Sequence, residues 1–144
     1  MNRLVITLIL LACGCFVKSQ NLHLSAGIEK PVTRCLYGGA LTYETKGKWG
    51  IGGFYQTSIS AEPKERMSLK DAFYGVLFQI PLAKSEKISF FATARLGFVN
   101  EDFFVAVPGL ETSIKTWRKL STVFNMGYRV GYPSIGIKLS HPIL

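Results

Sequence analysis

Few side chains in this sequence could take part in acid–base or nucleophilic chemistry, and they lie near the two ends of the predicted mature chain. The only histidines are His23 and His141, and His141 directly follows Ser140. A serine and a histidine within hydrogen-bonding reach can act as nucleophile and base. Adjacent residues of a β-strand point to opposite faces, so this pair would not form such a dyad within one strand. We therefore expect both histidines to be polar residues at a rim or in an interior.

The sequence offers no recognisable centre for a metal or a cofactor. It contains no Walker loop, no dinucleotide-binding fingerprint and no Cys/His zinc pattern, and the histidines lack further ligands at a metal-binding spacing. Of the three cysteines, Cys13 and Cys15 fall in an N-terminal leader, so Cys35 has no disulfide partner and is expected to be a small apolar wall residue. These observations predict no metal, no cofactor and no enzymatic activity.

Residues 1–19 have the features of a secretory signal peptide. Arg3 supplies a positive charge, residues 4–16 are apolar, and a cleavage site after Ser19 is preceded by small side chains. The apolar run is shorter than a transmembrane helix, which needs about 20 residues. We expect export, with the signal peptide at 1–19 and one domain at 20–144. The stretch LLAC leaves lipidation at Cys13 open as an alternative to ordinary cleavage.

The charge of the chain is strongly positive. The formal net charge is +8, and it stays positive when Arg3 and Lys18 leave with the signal peptide. A basic excess can indicate nucleic-acid binding, but an exported protein rarely meets nucleic acid. Anionic lipid head groups and the phosphates of lipopolysaccharide are therefore the expected counter-charges.

From Gln20 onward the sequence alternates with a period of two residues, which is typical of β-strands. Eight such segments follow one another, most of them about ten residues long, the length that a tilted strand needs to cross a bilayer. Stretches with turn chemistry separate them, such as ETKGK, LAKSEK, VNED and VGYPS. The predicted strands cover 22–28, 34–44, 49–59, 72–82, 88–98, 103–114, 120–130 and 134–140.

One face of these segments carries large apolar and aromatic residues, and the other carries glycines, hydroxyls, amides and scattered charges. A soluble barrel would bury the apolar face inside, whereas a membrane barrel places it against lipid. Because an open sheet edge in hydrocarbon is costly, the last strand should pair with the first. The predicted fold class is thus an all-β, eight-stranded, antiparallel up-and-down transmembrane β-barrel. The residues predicted to face lipid are Ile51, Tyr55, Tyr74, Val76, Phe78, Phe90, Ala92, Leu96, Phe124 and Ile137.

The sixth segment departs from regular alternation. Phe103, Val105 and Val107 fit the outer face, whereas the residues after Pro108 follow the opposite phase. A β-bulge at Pro108–Gly109 would reconcile the two halves, because bulges shift register and tolerate proline. In other segments, apolar side chains interrupt the polar face at Leu36, Phe73 and Leu77.

Arg95 lies within the apolar stretch FFATARLGF, where a charge facing lipid at mid-depth would cost about 2–4 kcal/mol. Its alternation phase points it into the lumen, and Glu111 and Arg129 share that phase. Charges in an enclosed interior must be paired. We predict a lumenal charge network of Arg95, Glu111 and Arg129, extended by Lys138. Side chains fill narrow eight-stranded interiors, so a plugged lumen is favoured over a conducting pore.

With these features the chain resembles the small eight-stranded outer-membrane barrels of Gram-negative bacteria, the OmpA-barrel and OmpX-like group, and most of all the outer membrane protein β-barrel family of Bacteroidetes. The resemblance rests on the signal peptide, the alternation in KWGIGGFYQTSIS, FFATARLGFV and STVFNMGYRVGY, and the segment VAVPGLETSI. It implies a porin-like protein of the bacterial outer membrane, with both termini in the periplasm. The chain ends in Leu144, where such barrels usually carry an aromatic residue.

These inferences predict a non-enzymatic, monomeric integral outer-membrane protein with a structural or envelope-interaction role and a plugged polar lumen. The expected partners are outer-membrane lipids, lipopolysaccharide and, during biogenesis, the barrel-assembly machinery, with no nucleic acid. Two alternatives stay open at this point, namely an enzyme that modifies lipid A or phospholipids, and a narrow pore.

Overall fold

The structure is a computed structural model that describes residues 22–31, 35–45, 48–58, 72–129 and 131–143. The predicted signal peptide, including Cys13, and the connection at 59–71 lie outside these residues. The described residues form eight β-strands, and none belongs to a helix long and apolar enough to cross a membrane. The strands are β1 (Leu22–Pro31), β2 (Leu36–Glu44), β3 (Gly50–Ser58), β4 (Ala72–Lys84), β5 (Ile88–Val99), β6 (Phe103–Trp117), β7 (Leu120–Arg129) and β8 (Tyr132–Pro142).

The strands form a closed barrel. Each pairs antiparallel with the next, and β8 pairs with β1, where Gly27 lies opposite Lys138. The predicted all-β, eight-stranded, up-and-down barrel is thus confirmed. We call the end at which β1 begins and β8 ends the terminal end; it also carries the β2–β3, β4–β5 and β6–β7 turns. The opposite end is called the loop end.

The bulky face of the strands points outward, as the alternation indicates. Most of the residues predicted to face lipid are exposed on the outside of the barrel, namely Ile51, Tyr55, Val76, Phe90, Phe124 and Ile137. The others share this outward phase and are partly exposed between their neighbours, namely Tyr74, Phe78, Ala92 and Leu96. Their chain neighbours point inward, and Thr93 and Arg95 are buried there. The outer wall is therefore apolar and aromatic over most of its strands.

Strand β6 differs from the prediction in its middle. The β5–β6 register runs without interruption through Pro108–Gly109, so the bulge expected there is wrong. Val105 and Val107 consequently point inward, and Val107 is only 1% exposed. The prediction failed because it assumed a polar interior along the whole strand, whereas the interior at this level is apolar. Register shifts occur instead at 81–83 in β4 and at 115–117 in β6.

The interior contains an apolar layer built from the side chains that interrupt the polar face. Its residues, which we call the apolar plug, are Ala40, Phe54, Phe73, Leu77 and Val107. The exposed fractions of Phe73 and Leu77 are 0% and 1%. The rings of Phe54 and Phe73 meet edge to face, with centroids 4.7 Å apart, a favourable geometry for two aromatic rings. Large apolar residues on the polar face are therefore interior packing residues.

The close approach of β4 and β5 requires glycine at one paired position, where Gly75 lies opposite Gly97. A Cβ atom on Gly75 would come within 2.0 Å of the carbonyl oxygen of Leu96, and one on Gly97 within 2.1 Å of that of Tyr74. Glycine at such positions permits sharp bending of a strand, and bending helps a sheet of few strands to close.

Candidate functional site: the charged barrel interior

The principal charged group of the interior is built around Glu29. Arg95 forms two hydrogen bonds to this carboxylate, one from each terminal guanidinium nitrogen, and the Nη2–Oε1 distance is 2.9 Å. Ser134 donates its hydroxyl to Oε1 at 2.6 Å, and Gln56 donates its amide nitrogen to Oε2 at 2.9 Å. We call these four residues the Glu29 cluster.

This cluster satisfies the hydrogen-bonding capacity of a buried carboxylate. Glu29 and Arg95 are only 3% and 5% exposed, so both charges are removed from solvent. Each carboxylate oxygen accepts two hydrogen bonds, and the guanidinium also donates to the side-chain oxygen of Gln56 at 3.2 Å. A two-point pairing of arginine with carboxylate is among the stronger hydrogen-bonded arrangements in proteins. The desolvation cost of the two charges is thereby offset by mutual pairing.

A second charged group, which we call the Glu111 cluster, lies nearer the terminal end. Lys138 forms an ion pair with one oxygen of Glu111, and Gln79 donates to the other oxygen at 2.8 Å. Glu111 is 4% exposed. The side chains that donate hydrogen bonds in the two clusters come from β3, β4, β5 and β8. Each cluster therefore links strands across the lumen, in addition to the backbone hydrogen bonds of the sheet.

The structure pairs the four predicted network residues differently from the single network expected. Arg95 binds Glu29, and Glu111 binds Lys138. Arg129 lies towards the loop end, where its guanidinium carbon is 4.6 Å from the centre of the Phe73 ring. This contact has the geometry of a cation–π interaction. The predicted set is thus distributed over two ion-paired clusters and one aromatic contact.

Sequence reasoning missed Glu29, although a signal for it was present. Glu29 has the same alternation phase as His23 and Ser25, which places all three on the inward face of β1. Its inward direction could therefore have been predicted. Its partner could not, because Arg95 lies 66 residues further along the chain and the contact depends on how the closed barrel brings distant strands together.

At the terminal end the interior opens into a polar vestibule of about 100 Å³. Glu44 lies on its rim, 3.6 Å from the Nε2 atom of His23 and 3.0 Å from the Nζ atom of Lys84. Glu111 and Lys138 of the Glu111 cluster also line it. The hydroxyl-bearing residues of its wall are Ser25, Thr42, Ser113, Ser121 and Ser140. The vestibule thus offers hydrogen-bonding groups and charges of both signs.

Between the two clusters, Asn125 lacks protein partners for its side chain. It is 3% exposed, and neither its amide nitrogen nor its amide oxygen has a partner among the described residues. It lines a small internal space of about 20 Å³ together with Glu29, Arg95 and Lys138. A space of this size accommodates about one water molecule.

The residues considered for catalysis are divided between the vestibule and the outside of the barrel. Ser140 and His23 line the vestibule, whereas His141 is exposed and does not line it. No group of three or more histidine, cysteine, aspartate or glutamate residues among the described residues is placed to hold a metal ion. Cys35, predicted to be a small apolar wall residue, lies immediately before β2 and is exposed, as the outward residues of the wall are.

Comparisons with known proteins identify the fold. No protein-family model and no curated protein matches the sequence. One similar solved structure comes from work described as "De novo design of transmembrane beta-barrels"; the TM-score is 0.72 at 10% identity, and the match covers 85% of this chain and 94% of that chain. The solution NMR structure of the de novo designed TMB2.3 matches with a TM-score of 0.66 at 13% identity, over 87% of this chain and 95% of that one. The chain has the fold of transmembrane β-barrels.

These matches establish architecture and leave the finer family assignment open. The two structures described above are designed proteins, and identities of 10% and 13% carry the fold alone. The resemblance to the OmpA-barrel and OmpX-like group therefore stays a prediction. What the comparisons add is that a closed eight-stranded barrel of this shape occurs in proteins designed to span a membrane.

Proposed function

We propose that this protein is an integral outer-membrane β-barrel with a plugged lumen and a structural or envelope-interaction role. The observation that carries the proposal is the opposite chemistry of the two barrel faces. Large apolar side chains such as Ile80, Leu110 and Ile135 are 60%, 54% and 62% exposed on the outside, while the ion-paired Glu29 and Arg95 are enclosed. A water-soluble barrel has the reverse arrangement, so the outer wall fits hydrocarbon.

The interior supports a plug rather than a channel. Arg95 lies opposite both Leu77 and Val107 in the strand register, so the Glu29 cluster adjoins the apolar plug. Leu77 and Val107 are each 1% exposed, and Arg95 is 5% exposed. Solvent from either end therefore meets an apolar layer and a layer of paired charges. This arrangement favours a stabilising role for the interior charges over ion conduction.

The proposed location is the bacterial outer membrane, with assembly by the barrel-assembly machinery and a monomeric final state. Outer-membrane lipids and lipopolysaccharide are the proposed contacts of the wall, in keeping with the positive net charge that remains without Arg3 and Lys18. The proposed role is non-enzymatic, and the adjacent pair considered as a dyad does not assemble in the vestibule, because Ser140 lines it and His141 does not.

Planar-bilayer recording of the purified protein tests the plug directly. Insertion is checked in parallel by gel migration, because a folded barrel runs differently before and after boiling. We expect a heat-dependent shift together with the absence of stable single-channel conductance. A stable conductance that is lost in Arg95→Leu or Glu111→Gln would contradict the plug and favour a narrow pore. A protein that never shifts on boiling would contradict the membrane barrel itself.

A further inference from the structure

A row of inward positions crosses neighbouring strands at one level of the barrel and joins the two charged clusters. In order around the barrel, the row consists of Glu111 on β6, Asn125 on β7, Gly136 on β8 and Glu29 on β1, each opposite the next in the strand register. The two ends of the row are the carboxylates of the two clusters, and its middle holds one amide side chain and one glycine. Asn125 therefore lies on the path from one cluster to the other.

Glycine at position 136 gives the Asn125 amide room to extend across β8. A Cβ atom on Gly136 would lie 2.6 Å from Oδ1 of Asn125 and 2.7 Å from the carbonyl oxygen of Ile28, so a side chain there would collide with both. The amide oxygen thus lies over β8, on the side towards β1. Asn125 and Glu29, on the strands at either side of β8, both line the internal space of about 20 Å³.

The Asn125 amide requires a hydrogen-bond partner that the described side chains do not supply. The residue is 3% exposed, and neither its nitrogen nor its oxygen has a partner in the part of the chain that the structure describes. Buried polar groups are nearly always hydrogen-bonded, because an unsatisfied one bears its full cost of desolvation. An amide presents a donor and an acceptor side by side, so one molecule that both accepts and donates can satisfy it. A polar space of this size holds about one water molecule and nothing larger.

Two other side chains that line the space have hydrogen-bonding capacity left. The ammonium of Lys138 has further N–H donors besides the one that it uses on Glu111. The side-chain oxygen of Gln56 accepts from Arg95 at 3.2 Å and can accept a further hydrogen bond. Lys138 belongs to the Glu111 cluster and Gln56 to the Glu29 cluster, and both line the same space. A molecule bound to both would therefore connect the clusters.

We propose that one water molecule is a bound part of the interior, held by Asn125, Lys138 and Gln56. The water accepts hydrogen bonds from the Asn125 amide nitrogen and the Lys138 ammonium, and it donates to the side-chain oxygens of Asn125 and Gln56. It thereby joins the two clusters into one hydrogen-bonded network across the lumen. The nearby cations Lys138 and Arg95 disfavour a metal ion in this space, and the two carboxylates disfavour an anion. The inference goes beyond the proposed function, because it does not depend on what surrounds the barrel.

Oxygen-17 magnetic relaxation dispersion of the folded protein in detergent micelles tests the inference, because it counts water molecules that stay bound for longer than bulk water. Asn125→Leu keeps much of the shape of the side chain without its polar atoms and should remove about one long-lived water. Thr93→Val is the matched control, since Thr93 is also buried in the interior but does not line this space. Its count should equal that of the unchanged protein. An unaltered count in Asn125→Leu, or an equal loss in Thr93→Val, would overturn the inference.

A second readout needs no substitution. Rotating-frame Overhauser spectra of the unchanged protein should show dipolar cross-peaks between water and the side-chain amide hydrogens of Asn125. Such peaks differ in sign from those of chemical exchange. Their absence would overturn the inference even if Asn125→Leu did not fold.

Unfolding by urea in liposomes separates a satisfied amide from an unsatisfied one. If water satisfies Asn125, then Asn125→Leu removes hydrogen bonds of Lys138 and Gln56 and should lower the urea midpoint. If the amide is unsatisfied, the same substitution removes a costly buried group and should raise the midpoint, which would overturn the inference. Failure of the unchanged protein to insert into liposomes would instead contradict the proposed function, whereas the count in micelles tests the bound water alone.

Discussion

At the residue scale, the interior charges are tolerated because each is paired. Arg95 sits in an apolar stretch of sequence, yet its guanidinium faces the Glu29 carboxylate at the centre of a fully hydrogen-bonded cluster. Alternation predicted that Arg95 points inward. It did not predict the partner, because a contact across the lumen depends on strand tilt and register, which a period of two residues does not encode.

Replacement of Glu29 by glutamine should destabilise the barrel strongly. Glu29→Gln leaves the buried guanidinium of Arg95 without its counter-charge, which should lower the free energy of unfolding by about 3–5 kcal/mol. The measurement is urea-induced unfolding of the protein folded into liposomes, followed by tryptophan fluorescence. The double variant Glu29→Leu with Arg95→Met removes both charges and should recover most of this loss.

The matched control for this substitution is Glu44→Gln. Glu44 also has side-chain partners, the Lys84 ammonium and the His23 imidazole, but it lies at the vestibule rim with 22% of its side chain exposed. Ion pairs in such positions contribute about 0–1 kcal/mol, so the control should unfold almost as the unchanged protein does. Equal losses for Glu29→Gln and Glu44→Gln would contradict the view that the Glu29 cluster is enclosed.

At the scale of the strands, the sequence periodicity predicted all eight strands, but it placed some strand ends and the middle of β6 incorrectly. All eight predicted segments are strands, since an apolar–polar alternation matches the pleat of a sheet with two different faces. Strands β4 and β6 run further towards the terminal end than predicted, to Lys84 and Trp117, each through a register shift. The error in β6 arose because inward-pointing valines look like lipid-facing ones in sequence. Periodicity shows which residues share one face of a strand, but it does not show whether that face contacts lipid or the barrel interior.

The close approach of β4 and β5 at Gly75 and Gly97 leads to a prediction at this same scale. In Gly97→Ala the new methyl group would lie within 2.1 Å of the Tyr74 carbonyl oxygen, so the two strands must separate or flatten. We expect the free energy of unfolding to fall by about 1–3 kcal/mol, with a smaller heat-shifted fraction on gels. Gly53→Ala is the control, because its methyl group would lie 3.8 Å from the carbonyl oxygen of Gly75, an ordinary van der Waals distance. Similar losses in both variants would contradict a specific requirement for glycine at the paired position.

At the scale of the whole molecule, the sequence predicted that the barrel closes and that the bulky face of its strands points outward. It did not predict that an apolar layer lies beside the charged clusters in the interior. The high cost of an unpaired edge in hydrocarbon predicted the β8–β1 pairing that the structure contains. The apolar plug was not predicted, because its members come from four different strands, β2, β3, β4 and β6. Phe73 and Leu77 looked like isolated exceptions, and Val107 was assigned to the outer face. Phe54 and Phe73 meet through the pairing of adjacent strands, because Phe54 lies opposite Gly75 and Phe73 lies opposite Gln56 in the β3–β4 register.

Collision accessibility of nitroxide spin labels in lipid vesicles tests the orientation of the two faces most directly. Labels at the outward positions Ile51, Phe124 and Ile137 should collide readily with oxygen, which concentrates in hydrocarbon, and rarely with a water-soluble nickel chelate. Labels at the vestibule positions Ser113 and Ser121 should show the reverse preference. If the outward labels contact the nickel chelate while the vestibule labels contact acyl chains, the barrel does not present its bulky face to lipid, and the proposed membrane orientation of the two faces is wrong.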